Sequence, residues 1–164
     1  MRPFRESDLD AYTAILQTPE VRSWLLLPDD VGSEYAWDGM ARWNGQRALR
    51  GTGQWALEER ATGALVGRAG SHWPPREEWP GIEIGWTLHP DHWGKGYATE
   101  AGREAVKHAF ANHDVDALYS CILPSNQASQ GVASRLGFTE WQLRTFSWLP
   151  DHPHMIWRLQ RADT

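Results

Sequence analysis

Residues 82–102 read IEIGWTLHPDHWGKGYATEAG, and this stretch constrains the fold more than any other. Ile82, Ile84, Trp86 and Leu88 alternate with Glu83, Gly85 and Thr87, which predicts a strand whose two faces meet different surroundings. Pro90 ends the alternation, Gly94 and Gly96 supply a turn, and a helix is expected over residues 97–111. Ala98, Ala101, Ala105 and Ala109 recur at three- and four-residue steps, a narrow face suited to close packing on a sheet. The order strand, glycine turn, helix leaves a helix N-terminus just beyond a strand end. Its unpaired N–H groups and partial positive charge favour an anion, and glycine lets the backbone approach one. A plain turn without a ligand fits the same residues.

Around this unit the periodicities change. Helices are expected over residues 7–17, with Ser7 capping and Leu9, Tyr12 and Leu16 on one face, and over residues 33–50, with Ser33 capping. Tyr35, Trp37, Met40, Trp43 and Leu49 are the apolar positions of the second, which Gly51 and Gly53 end; residues 19–24 make a further turn or two. Residues 54–59 and 64–72 read as a hairpin around Thr62-Gly63, leading to the 82–88 strand. After the alanine-faced helix come a mostly apolar strand over 117–123, a helix over 126–136 closed by Gly137, and strands over 138–146 and 154–159. The expected fold is therefore α/β: one domain over residues 1–164 with a mixed sheet and no linker.

The chain has 164 residues, enough for a core of its own. Its net charge of −5 gives no general affinity for nucleic acid or anionic membrane, so a polyanion would need a local positive site. No stretch has the length of a membrane span, the N-terminus lacks an apolar leader, and the single cysteine, Cys121, can form no internal disulfide; a cytoplasmic location is expected. Cys121 itself reads as a small core residue. The 11 tryptophans show no repeat and supply core or the wall of an aromatic-lined cleft. Asp151, His152 and His154 lack a third and fourth ligand nearby, as do His89 and His92, so no metal is expected.

The glycine turn is neither of two common phosphate cradles. Lys95 is followed by Gly96 rather than Ser or Thr, and no glycine stands five residues before Gly94, which excludes a Walker A loop. Thr99 occupies the third glycine position of a dinucleotide fingerprint, and Asp114 and Asp116 precede the next strand instead of ending it. The segment Trp93-Gly94-Lys95-Gly96-Tyr97-Ala98 instead resembles the [QR]-x-x-G-x-[GA] pyrophosphate loop of the GNAT superfamily of acyl-CoA-dependent N-acyltransferases, with Trp in place of Gln or Arg. Asn126-Gln-Ala-Ser129 followed by Arg135-Leu136-Gly137-Phe138 is similar to that family's later helix, in register. WGKGYATEA and the opening Phe4-Arg5-Glu6-Ser7-Asp8 look like the Rim branch, which acetylates protein N-termini and small amines.

The resemblance implies a mostly antiparallel central sheet flanked by helices, and a first strand clipped to Met1 and Arg2. It implies transfer of an acetyl group from acetyl-CoA to a primary amine, with no covalent enzyme intermediate and no metal. Backbone groups of Trp86, Thr87 and Leu88 would pair with the pantetheine arm. Amides of Gly94, Lys95, Gly96, Tyr97, Ala98 and Thr99 would hold the pyrophosphate, with charge from Lys95 or Arg135, and Asn126 would anchor the arm. Asn126 also fits a plain helix N-cap, and Arg135 a solvated charge. Glu83 is the expected base, acting through water, or else a paired strand carboxylate; Ser129 would hydrogen-bond the leaving thiolate, because Ala133 stands where the family often has a Tyr acid. His72 would relay protons or touch substrate, or else is an ordinary strand-end histidine. The acceptor, protein N-terminus or small amine, stays open; the acidic pairs Asp29-Asp30 and Glu77-Glu78 and the many tryptophans would suit a cationic or aromatic one, or the acidic pairs simply solvate. A homodimer is implied at family level, and a non-catalytic acyl-CoA-binding module of the same shape is the alternative.

Overall fold

The computed structural model describes residues 1–163. Six strands form one sheet in the order β1-β2-β3-β4-β6-β5. β1 (Gln54–Glu58), β2 (Leu65–His72) and β3 (Glu83–Leu88) are an antiparallel meander; β4 (Ala117–Ile122) lies parallel to β3, and β6 (Leu149–Gln160) runs antiparallel to both β4 and the edge strand β5 (Thr139–Phe146). The mixed, mostly antiparallel sheet expected from the sequence is present.

Helices cover both faces. α4 (Tyr97–Asn112) and α5 (Gln127–Arg135) pack on one, where Ile82, Ile84, Leu118 and Leu159 are each at most 1% exposed against Ala105, Ala109 and Ala133. Burying an aliphatic side chain of that size contributes about 1.5–3 kcal/mol. The alanine stripe of α4 lets the helix lie close to the strands. Gly102 extends it: a Cβ there would stand 2.6 Å from Leu136 Cδ1. On the other face α1 (Leu9–Gln17), α2 (Pro19–Leu25) and α3 (Ser33–Arg50) enclose Tyr12, Leu16, Met40 and Trp43 over Ala56 of β1.

Several local expectations are corrected. Ser7 does not cap α1. A single 3-10 turn, Glu6–Asp8, precedes the helix, and buried Asp8 accepts the Arg5 N–H at 2.7 Å while pairing with Arg2 at 2.7 Å. Ser33 is likewise inside α3, behind an extended Gly32 with no side-chain cap. Tyr35, Trp37 and Leu49 are exposed; the buried stripe is Ala36, Gly39, Met40 and Trp43, because α3 meets Tyr12 of α1 through its small residues. β6 starts at Leu149, so His152 and Pro153 lie within a strand. Pro153 is tolerated because β4 pairs with β6 only from Met155 onward, leaving that half of β6 with a free edge. Arg2 forms an isolated antiparallel bridge with Ala56 of β1.

Candidate active site

The sheet opens in its middle. β3 and β4 make one ladder contact, Glu83 opposite Tyr119, where the Tyr119 N–H donates to the Ile82 carbonyl at 2.9 Å. β2 holds β3 in register to Leu88 and β6 holds β4 in register to Ile122, but beyond Glu83 the two strands no longer pair with each other. Residues 85–88 and 120–123 become opposite walls of a cleft of about 770 Å³. A strand edge released in this way exposes N–H and C=O groups that a ligand backbone can pair with.

The N-terminus of α4 stands at the wide end. Gly94 and Gly96 adopt left-handed conformations, with φ of 74° and 85°. A Cβ at either would meet nothing within 4 Å, so what glycine supplies there is the turn itself and an open approach. No side chain caps the helix, and the first helical bond is from the Glu100 N–H to the Gly96 carbonyl, which leaves the amides of Tyr97, Ala98 and Thr99 without helical partners. Gly94, Gly96, Tyr97, Ala98 and Thr99 line the cleft; Lys95 is exposed and does not. The cation at this end is Arg135 of α5, whose Nε donates to Thr99 Oγ1 at 3.4 Å. The Tyr97 ring is fixed by its hydroxyl, which donates to Glu59 Oε1 at 2.6 Å.

α5 forms another wall. Asn126 is its N-cap, with Oδ1 accepting the Ser129 N–H at 3.0 Å; both residues line the cleft. The cap occupies the side-chain oxygen and leaves the amide nitrogen for a ligand. Ala133 is fully buried in the core beneath α5 and lines no part of the cleft.

Glu83 lies at the closed end, where the strands part. Its Oε1 accepts the Cys121 N–H at 3.3 Å. Burial pushes its carboxyl up to about 7, opposed by that hydrogen bond and by the Arg68 charge. A carboxyl poised near neutral pH exchanges protons readily with a bound group. Cys121 is a cleft residue, half-buried beside Glu83, rather than the core residue expected; burial and the neighbouring carboxylate push its thiol well up. His72, opposite Glu83 in the β2–β3 register, also lines the cleft, with Nδ1 3.1 Å from Gln46 Nε2 and its ring edge-on to Trp43 and Trp79. Burial, then the charges of Arg68, Arg42 and Arg76, lower its pKa to about 3. The imidazole is therefore neutral at physiological pH; it offers a hydrogen bond and not a charged relay.

Sequence reading missed Arg68, Gln54, Trp24 and Trp43, which also line the cleft. The signal for Arg68 is the hairpin register: Arg68, Gly70 and His72 stand opposite Thr87, Gly85 and Glu83, one sheet face shared by two strands. The acidic pairs are elsewhere. Asp29 pairs with Arg22, and Glu78 accepts the Ser147 N–H, neither lining the cleft. Among the described residues no group of three or more metal-ligating side chains occurs, and no helix is long and apolar enough to cross a membrane.

Known proteins share this architecture. The chain is 28% identical to an acetyltransferase from Agrobacterium tumefaciens strain C58, with a TM-score of 0.83 over 98% of this chain and 89% of that one. It superposes on RimJ of Mycobacterium smegmatis, solved in complex with CoA-disulfide, with a TM-score of 0.80 at 18% identity, over 98% and 81% of the two chains. YkkB of Bacillus subtilis is 35% identical over 97 residues, a match that spans 58% of this chain and 56% of that relative. The fold is thus that of acetyltransferases. Residues 1–139 match the family described as the acetyltransferase (GNAT) domain, and the chain belongs to this family of acetyl-CoA-dependent N-acetyltransferases.

Proposed function

We propose that the cleft takes an acetyl group from acetyl-CoA and passes it to a primary amine by direct attack, with no covalent enzyme intermediate. The observation that carries this reading is the single Glu83–Tyr119 contact: past it the free edge of β3 leads from a carboxyl near pH 7 to an uncapped helix N-terminus. The site fits the donor at both ends. Gly94 and Gly96 leave room for a pyrophosphate against the amides of Tyr97 to Thr99, with Arg135 beside them. The released edge at Trp86, Thr87 and Leu88 matches an amide-bearing arm, and Asn126 would hold it from α5. RimJ, with the same fold, was solved holding a CoA derivative.

Acetyl-CoA supplies the activated thioester; the chain supplies position and proton handling. An alkylammonium must lose a proton before it can attack, and Glu83, directly or through water, is the group able to accept one near pH 7. Holding amine and thioester in one cleft accounts for much of the acceleration. Ser129, lining the cleft on α5, would donate a hydrogen bond to the departing sulfur. Ala133 is buried, lines no part of the cleft and supplies no acid, which leaves Ser129 as the hydroxyl that α5 offers there.

Release of free CoA thiol from acetyl-CoA tests the reading, measured with a panel of amines. Amine-dependent release is expected. Binding of acetyl-CoA with no amine-dependent release from any acceptor class would leave only the binding module.

A further inference from the structure

The acceptor end of the cleft has a charge arrangement that the donor does not use. Among the described residues Glu83 is the only carboxylate lining the cleft. Two guanidinium groups line it: Arg135, committed to the helix N-terminus through Thr99, and Arg68 on the sheet floor. Arg68 has no carboxylate partner among the described residues; its Nη1 donates to the neutral amide oxygen of Gln54, its plane lies 5.2 Å from the Trp43 ring, and its Nε is buried without a partner. A half-buried guanidinium with no carboxylate in bonding reach gains from an anion that pairs with it.

The floor is shaped to leave this group accessible beside Glu83. Gly85, between Glu83 and Thr87 on β3, lets Gln54 lie flat: a Cβ at Gly85 would come within 3.0 Å of Gln54 Nε2. Gln54 in turn draws the Arg68 head over the glycine pair Gly70 and Gly85, toward Glu83. Arg68 is close enough for its charge to act on both Glu83 and His72, and Arg42 and Arg76 add to the positive field on His72. Trp43, edge-on to His72, gives this end an apolar wall, and Val21, Trp24 and Leu25 are further apolar lining of the cleft. An amine placed at Glu83 thus finds a cation and an apolar surface beside it, with no second carboxylate for a polycation.

Resting on the transferase reading above, we infer that the acceptor is an amine that also carries a carboxylate, a free apolar amino acid, with Arg68 holding the carboxylate while Glu83 faces the amine. This reverses the expectation from the acidic loops. Arg68, which bonds through a planar fork suited to carboxylate, is then the residue that sets acceptor class.

The test uses the full chain with acetyl-CoA and three acceptor sets: leucine, phenylalanine and tryptophan; their amides; and spermidine with an aminoglycoside. Free amino acids are expected to exceed their amides about 10- to 100-fold in kcat/KM, the weight of a hydrogen-bonded charge pair, and to exceed the polycations. Arg68→Gln is expected to raise KM for the free acids by a similar factor and draw the acid-to-amide ratio toward one, with Arg68→Lys intermediate. An acetyl-CoA titration on each variant reports that the cleft is folded. Preference for polycations, a wild-type ratio near one, or a ratio that survives Arg68→Gln overturns the assignment. Failure to bind acetyl-CoA at all would instead sink the transferase reading, whereas binding with no acetylation of the free acids sinks only the acceptor class.

Discussion

The backbone N–H of Cys121 donates to Glu83 Oε1 at 3.3 Å, a bond that crosses from β4 to β3 at the last point where these strands pair. The carboxyl proposed as the base is thereby fixed at the vertex of the cleft by the strand on the far side.

Replacing this carboxyl separates proton transfer from binding. Wild-type kcat/KM is expected to rise with pH through about 7 as Glu83 ionises, because only the carboxylate accepts a proton. Glu83→Gln keeps the Cys121 hydrogen bond, lowers kcat/KM about 10²–10⁴-fold and loses that inflection. A pH–rate profile with the same inflection in the variant would place the base elsewhere.

The same residue affects stability with a definite sign. Its carboxyl has a pKa near 4.5 in the unfolded chain and about 7 in the folded one, so the folded state binds the proton more tightly. The cost of burying the charge is absent below pH 4.5 and grows as pH rises to 7, reaching about 3 kcal/mol. Glu83→Gln is therefore expected to match the wild type near pH 4 and to be the more stable protein at pH 8. His72 is common to both and cancels in the comparison. Urea melts at the two pH values check this, and equal midpoints at pH 8 would contradict it.

Donor binding has its own readout. Acetyl-CoA at about 100 times its Kd adds about 2.7 kcal/mol, roughly 5–10 °C in Tm for a chain of this size, whereas NAD and ATP should add nothing comparable. Gly96→Val should cost about 1–2 kcal/mol for its left-handed conformation and abolish most of the acetyl-CoA shift. Retention of the full shift would mean that the turn is not the phosphate cradle.

Packing under α4 makes a separate prediction. Gly102→Val places new atoms against Leu136 and is expected to destabilise by about 1–3 kcal/mol. Leu136→Ala should relieve part of that loss, so the double variant is more stable than the sum of the singles predicts. Additive losses would show that the Gly102–Leu136 contact is not the cause.

The 82–102 stretch was legible because its determinants are local. Alternation set β3, Gly94 and Gly96 set the turn, and the alanine steps set the buried face of α4. Caps and faces were less legible. Ser7 and Ser33 have the residue type of a cap, but Asp8 is held by Arg2 and the Arg5 N–H in the turn before α1, and α3 begins behind Gly32 with no side-chain cap. In α3 Met40 and Trp43 marked the buried face, but Tyr35, Trp37 and Leu49 turn outward, and Ala36 and Gly39 complete the buried stripe because α1 approaches closely there.

The sequence by itself determined the elements, the glycine turn and the positions of Glu83, Asn126 and Ser129, since short-range sterics and periodicity act within a few residues. The tertiary structure decided where the sheet splits and which distant residues meet there. Cys121 became a cleft residue, Arg135 rather than Lys95 reached the helix N-terminus, and Arg68 came to share a face with Glu83 through hairpin register. The buried setting of Glu83 that raises its carboxyl is likewise assembled from several strands and helices. A proton affinity of that kind depends on solvent exclusion, a property of the assembled walls and not of any one segment.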